Sequence, residues 1–287
     1  MIPFQLHRRL PLIRRPFDQR DDLVAENAKL KAQLAEAHRA LDTHHKRVGR
    51  RLSRTQDLKS TYAEHVERLK SDLPVDEAMK KAISGDFGGD FDVVGRIELA
   101  VLRHCGLLPT GHVIDVGCGS GRLAVPLSFY LTGTYSGFDV VDDLIDFARG
   151  IVKRPDWRFE VIDHIGIPEP DKCADMVCFF SVMTHLLHEQ SYWYLEEAKR
   201  VLKPEGTIVI SFLEFNEPIH WPVFRKTLEH AKGPQVVDSL NVFIERSVLR
   251  VWAESLDLEI MEMRDGTDEI GADGPLGQSL CVMRRRA

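Results

Sequence analysis

The sequence predicts an α/β fold: a seven-stranded, mostly parallel sheet flanked by helices and preceded by a long N-terminal helix that forms a coiled coil. Three observations predict it. Beyond residue 91, strand-like apolar runs alternate with longer helix-like runs, the pattern of a parallel sheet with crossover helices. A glycine-rich turn, Val113-Ile-Asp-Val-Gly-Cys-Gly-Ser-Gly-Arg122, follows the first strand-like run. Residues 21–73 hold no proline, one glycine (Gly49) and 20 charged side chains among 53, with apolar residues at heptad spacing.

Residues 1–20 form a basic arm, with Arg8, Arg9, Arg14, Arg15 and Arg20 against Asp18. Pro3, Pro11 and Pro16 rule out a long helix there. Its interleaved apolar residues suit either a docked or disordered tail or a peripheral contact with an anionic membrane surface. In residues 21–73, Leu23, Leu30, Ala37 and His44 share one seam position, and Asn27, Leu34, Leu41 and Val48 the other. After Val48 the phase shifts by four residues, as at a stutter, and Leu52, Tyr62, Val66, Leu69 and Leu73 continue the stripe. Asn27 in the seam would fix register. Such a helix of about 50 residues would extend about 75 Å. It either packs on its own body or pairs with another copy, and its length favours a homo-oligomer through residues 21–73.

Pro74 opens the third zone, 74–287. A short helix (76–83) and a glycine-rich loop (84–91) lead into it. Strands are predicted at 112–116, 135–139, 157–162, 176–180, 207–212, 258–264 and 278–283. Helices are predicted at 93–104, 122–131, 142–152, 189–202 and 246–254. Residues 214–246 are a long insertion after the fifth strand, read as a cap over an acceptor site because long ordered connections are usually functional.

The glycine turn carries the chemistry. Gly117, Gly119 and Gly121 let the chain turn sharply and approach a ligand closely. A dinucleotide loop needs its third glycine at position 122, which is Arg, and a Walker loop needs Gly-Lys-Ser/Thr. Asp115 inside the strand is foreign to both. Asp139 ends the second strand, where a carboxylate can accept both ribose hydroxyls. Asp163 ends the third, where a carboxylate can accept an exocyclic adenine amine. Cys178-Phe-Phe-Ser181 ends the fourth, at the crevice where ligands bind in open α/β sheets.

In these residues the chain resembles the class I S-adenosylmethionine (SAM)-dependent methyltransferases over roughly residues 85–287. Arg200-Val-Leu-Lys-Pro-Glu-Gly206 is similar to that family's lead-in to the fifth strand. The resemblance implies strand order 3-2-1-4-5-7-6 with the seventh antiparallel. It also implies SAM as cofactor, with Gly117, Gly119 and Gly121 along its methionine and ribose, Asp139 on the ribose hydroxyls, and Asp163 with His164 or Ile165 bordering the adenine. Asp115 and Ser181 complete the expected cofactor set. The Phe87-Gly-Gly-Asp-Phe91 loop resembles a segment that closes over SAM in several bacterial members.

Departures from the family narrow the reaction. No Asn/Asp-Pro-Pro-Tyr follows the fourth strand, and no Pro-Cys pair occurs. The amide and exocyclic-amine class and cytosine C5-methylation are therefore disfavoured. For a hydroxyl acceptor, candidate general bases are His185 after the fourth strand, and Glu214 and His220 after the fifth. The alternative for His185 is simple packing at a helix start. The region from the cap to Gly277-Gln-Ser-Leu-Cys-Val-Met283 is similar to bacterial methyltransferases linked to cell-surface sugar enzymes, which implies a small-molecule or glycan acceptor carrying a sugar hydroxyl. The rival reading is a coiled-coil scaffold whose methyltransferase-like domain binds SAM but no longer reacts. A metal-dependent sugar O-methyltransferase would need a rim cluster of carboxylates and histidines, and Asp163-His164 alone is too thin for one, so no metal is expected.

Charge and cysteines bound the rest. The net charge is −6: residues 1–73 carry 16 Lys and Arg against 10 Asp and Glu, the remainder 22 against 34. An acidic body does not suit phosphate-backbone binding, so no nucleic-acid partner is expected. Five cysteines without a CxxC pair, and a start lacking an apolar signal block, predict a reducing cytoplasm, with the inner face of the membrane as the place for the arm.

Overall fold

In a computed structural model, the chain divides into two compact units, Met1–His44 and His45–Ala287. The structure describes residues 58–84, 89–232, 241–271 and 273–286, together with Lys29, Lys31 and Gln33 of the first unit, which are helical and exposed. The basic arm lies outside the described residues. So do the seam from Leu23 to Leu52, residues 85–88 of the glycine-rich loop and residues 233–240 of the cap.

The second unit is built on a seven-stranded sheet of order β3-β2-β1-β4-β5-β7-β6. Its strands are β1 (Val113–Val116), β2 (Tyr135–Asp139), β3 (Arg158–Val161), β4 (Ala174–Phe179), β5 (Leu202–Phe212), β6 (Leu258–Arg264) and β7 (Ser279–Arg285). The first five pair in parallel, and β7 runs antiparallel to both of its neighbours. Helices α1 (Leu58–Asp72), α2 (Val75–Ser84) and α3 (Phe91–His104) precede β1. Between and after the strands lie α4 (Ala124–Tyr130), α5 (Asp142–Val152), α6 (His188–Val201), α7 (Trp221–Lys232) and α8 (Arg246–Ser255).

Strand side chains alternate between two covered faces, which explains the nearly continuous apolar runs. Ile114, Val116, Val177, Phe179, Ile208 and Ile210 pack with Leu195 and Ala198 of α6 and Leu249 of α8. Val113, Met176, Cys178 and Val209 pack on the other face with helices α3, α4 and α5, through Leu102, Leu127 and Ile145. The ladder leaves the carboxyl ends of β1, β2 and β4 side by side, and that rim positions the site.

The predicted strands lie within two residues of the observed ones except β5, which starts at Leu202 and takes in the Lys-Pro-Glu-Gly segment. Helix α5 matches its predicted span. Helix α7, inside the insertion read only as a cap, was not foreseen. The clearest correction concerns the end of the predicted coiled-coil helix. Tyr62, Val66 and Leu69 of α1 pack against Met79 and Ala82 of α2 and against Val141 and Leu144 beside β2. Lys59–Asp142 (3.1 Å) and Lys70–Asp143 (2.9 Å) ion pairs flank that contact. This stretch of the stripe is thus covered by its own body. Among the described residues no helix is long and apolar enough to cross a membrane.

Candidate functional site

Beyond Val116 the chain enters the left-handed region at Gly117 (φ +74°) and Gly119 (φ +53°). A Cβ at Gly117 would sit 2.4 Å from Val182 Cγ2, and one at Gly119 2.7 Å from Ile83 Cγ2. Both positions therefore exclude a side chain twice over, by conformation and by space. The Gly119 N–H donates to Asp139 Oδ2 (2.9 Å) and the Val141 N–H to Asp139 Oδ1 (3.0 Å). Those bonds fix the half-buried carboxylate at the end of β2 and leave lone pairs for a diol. Burial pushes the Asp139 carboxyl above its ordinary range, against the pull of these backbone donors.

These groups border a cavity of about 640 Å³, within the size range of small-molecule sites. Its floor includes Asp115, Gly117, Gly119 and Asp139, and its wall beyond β4 includes Ser181 and His185. Asp115 is buried and accepts the Tyr135 hydroxyl at 2.8 Å; burial pushes its carboxyl up to about 7. Ser181 is held left-handed (φ +59°) by a closed set of bonds: Ser181 N–H to Ser211 Oγ (2.7 Å), Ser211 Oγ to Gln278 Oε1 (2.6 Å), and Gln278 Nε2 to Ser181 Oγ (3.0 Å). His185 ends the 3₁₀ turn Met183–His185, and its ring meets Tyr62 edge-on with centroids 5.5 Å apart.

Six predicted residues do not line this cavity. Gly121 faces α5, where a Cβ would sit 3.1 Å from Ala148 Cβ, so it spaces a helix rather than a ligand. Asp163 is exposed, 3.4 Å from the buried His164 Nδ1, and Ile165 joins the core; the cavity's wall at this strand end is Ile162. Glu214 is buried under a two-pronged Arg246 (2.9 and 2.8 Å to Oε1) and a Ser279 hydroxyl (2.6 Å). His220 is buried beside it, with the Glu214 N–H 3.0 Å from its Nδ1, and burial holds the imidazole below its usual value. Neither Glu214 nor His220 lines the cavity. Glu214→Gln is expected to lower stability by about 2 kcal/mol, the scale of a lost charge-assisted bond, with turnover at low temperature near wild type. Thermal unfolding beside initial rates checks it.

The sequence reading missed three contributors. Arg122, the residue that breaks the dinucleotide pattern, bonds buried Glu98 of α3 (Nε–Oε1 3.1 Å) and the Ile83 carbonyl of α2 (3.2 Å), tying both helices to the glycine turn. Gln278 was read only as a strand start. Tyr62 was read only as a seam residue, yet it lines the cavity. The cap contributes Lys226, Thr227 and Asn241 to the same wall, with Asn241 Nδ2 donating to Thr227 Oγ1 at 2.8 Å.

Comparison with known proteins agrees with this geometry. Residues 113–206 match the family described as "Methyltransferase domain". The chain is 25% identical to the methyltransferase GfsG of Streptomyces halstedii over 58% of its own length and 59% of the relative's. It is 23% identical to the O-methyltransferase cnsE of Penicillium expansum over 59% and 64%. It thus spans less than two thirds of either relative. The crystal structure of magnesium protoporphyrin IX methyltransferase from Synechocystis PCC 6803, with bound SAH (S-adenosylhomocysteine), superposes with a TM-score of 0.52 at 17% identity, covering 76% of this chain and 98% of that one.

If Asp139 holds a ribose, Asp139→Ala is expected to weaken SAM binding tenfold or more, about 1.4 kcal/mol, in a folded protein. Calorimetry showing unchanged affinity would remove the assignment. The left-handed glycine turn, the fixed carboxylate of Asp139 and the enclosing cavity fit SAM as the cofactor, and the chain has the class I SAM-dependent methyltransferase fold.

Proposed function

We propose that the protein transfers the methyl group of SAM to an acceptor oxygen, a hydroxyl of a sugar or glycoconjugate, with His185 as general base. One observation carries the choice of base: of the three candidates, His185 alone lines the cavity that holds Gly117, Gly119 and Asp139. Similarity to an O-methyltransferase supports oxygen as the methylated atom.

When bound, SAM supplies an electrophilic methyl group on a sulfonium. The glycine turn and Asp139 hold the cofactor end, and Thr227 and Asn241 bound the acceptor end. Orientation of this kind is worth about 7–11 kcal/mol in favourable cases. As the acceptor oxygen bonds to carbon, His185 takes its proton on a ring nitrogen, and SAH is the leaving product. Helices α1 and α2 and the described part of the cap border the cavity and limit its access to bulk water. For the chain as a whole, we propose self-association through residues 21–57 and a peripheral contact of residues 1–20 with an anionic membrane face in the cytoplasm, both supported by the sequence pattern alone.

Incubating the full chain with SAM and a panel of nucleotide sugars and glycans, followed by mass spectrometry, tests the reading. An acceptor heavier by one methylene is the expected result. SAM binding with no transfer to any hydroxyl or amine acceptor would return the inactive scaffold as the better reading.

A further inference from the structure

Tyr62 occupies an unusual place for a residue of an N-terminal helix. It borders the cavity beside Asp139 and His185, while Val66 and Leu69, one and two turns further along the same face, bury themselves against Val141 and Leu144. Its ring is set by that packing and by the edge-on contact with His185. Its hydroxyl is buried and has no hydrogen-bond partner among the described residues. A buried donor without an acceptor is costly, and such groups are rare in folded proteins. Asp139, which lines the same cavity, already accepts the Gly119 and Val141 N–H groups and does not bond this hydroxyl. Burial and the Asp139 charge both raise the phenol's pKa, so the hydroxyl keeps its proton and is a donor.

We propose that Tyr62 is a cofactor-binding residue, its hydroxyl donating a hydrogen bond to an oxygen of the bound SAM on the Asp139 side of the cavity. The inference rests on the reading of this cavity as the SAM site. The ligand offers two kinds of acceptor oxygen, the ribose hydroxyls and the carboxylate of its methionine part. Helix α1 is then part of the binding site, and cofactor binding and docking of α1 favour one another. The Lys59–Asp142 and Lys70–Asp143 pairs hold the helix in the position that aims the phenol.

The test uses the full chain as wild type, Tyr62→Phe and Tyr62→Ala, titrated calorimetrically with SAH and with 5′-methylthioadenosine, which lacks the amino-acid part. Tyr62→Phe keeps the ring packing and removes only the unpaired hydroxyl. Its unliganded melting temperature is expected to equal or exceed wild type, while SAH binds about fivefold to tenfold more weakly and the SAH-induced rise in melting temperature shrinks. An equal loss for both ligands assigns the bond to the ribose, and a loss for SAH alone assigns it to the carboxylate. Wild-type affinity for both ligands in Tyr62→Phe overturns the inference and leaves the SAM site standing. A wild-type protein that binds neither ligand overturns the SAM reading itself. Tyr62→Ala adds the loss of the ring contact, and the inference does not depend on its folding.

Discussion

His185→Ala is expected to lower turnover about 10²-fold or more while SAH affinity stays within a few-fold of wild type. The reasoning is geometric. Ser181 is pinned in a left-handed conformation by Ser211 and Gln278, and its carbonyl accepts the Thr184 hydroxyl at 3.0 Å. The turn that follows is closed by the His185 N–H bonding the Val182 carbonyl (3.0 Å). Val182 in turn occupies the space above Gly117. One short segment therefore sets both the cofactor turn and the imidazole, and the imidazole's place is dictated by backbone that the cofactor site also needs. The SAH affinity of His185→Ala separates the two roles: a base mutant retains it, a mutant that disturbs Val182 does not. His220→Ala and Glu214→Gln are the controls, because both residues are buried away from the cavity. A largely active His185→Ala enzyme would sink the assignment.

Much of the second unit was legible because its local and global signals agree. Buried parallel strands read as apolar runs, the glycine turn needs its residues for steric reasons, and Asp139 stands at a strand end where both oxygens meet backbone donors. What was not legible depends on partners distant in sequence. Glu214 stands on the rim by position, but its partner Arg246 is 32 residues later and turns it into a buried ion pair. His220 is buried beside it, its Nδ1 at the Glu214 N–H (3.0 Å). Asp163 and His164 follow a strand end, yet the chain there directs Ile162 to the cavity and leaves Asp163 in solvent. The heptad stripe is the most instructive case. Tyr62, Val66 and Leu69 are spaced alike for a partner helix or for the body of their own chain, and only the surface formed by Val141 and Leu144 decides between them.

That decision has a large expected consequence for truncation. Removing residues 1–57 is expected to leave a protein that binds SAH like the full chain, since the described residues around the cavity begin at Tyr62. Removing residues 1–74 instead strips α1 from the cavity. Val66 is fully buried, and burying a side chain of its kind contributes on the order of 1.5–3 kcal/mol; Tyr62 and Leu69 add smaller shares. Met79, Ala82, Val141 and Leu144 lose their cover as well. The cavity loses Tyr62, His65, Arg68 and Leu69 from its wall and opens to water. The shorter protein is therefore expected to lose on the order of 3–6 kcal/mol of stability, taking those burial terms together, and to bind SAH more than tenfold more weakly. Calorimetry and thermal unfolding of the two truncations check both effects. Light scattering of the same samples tests assembly: an oligomer through residues 21–57 disappears in both truncations, whereas SAH binding weakens only in the shorter one. Equal SAH affinity in the two truncations would show that α1 is no part of the cofactor site, and would return its stripe to the assembly for which the sequence alone had read it.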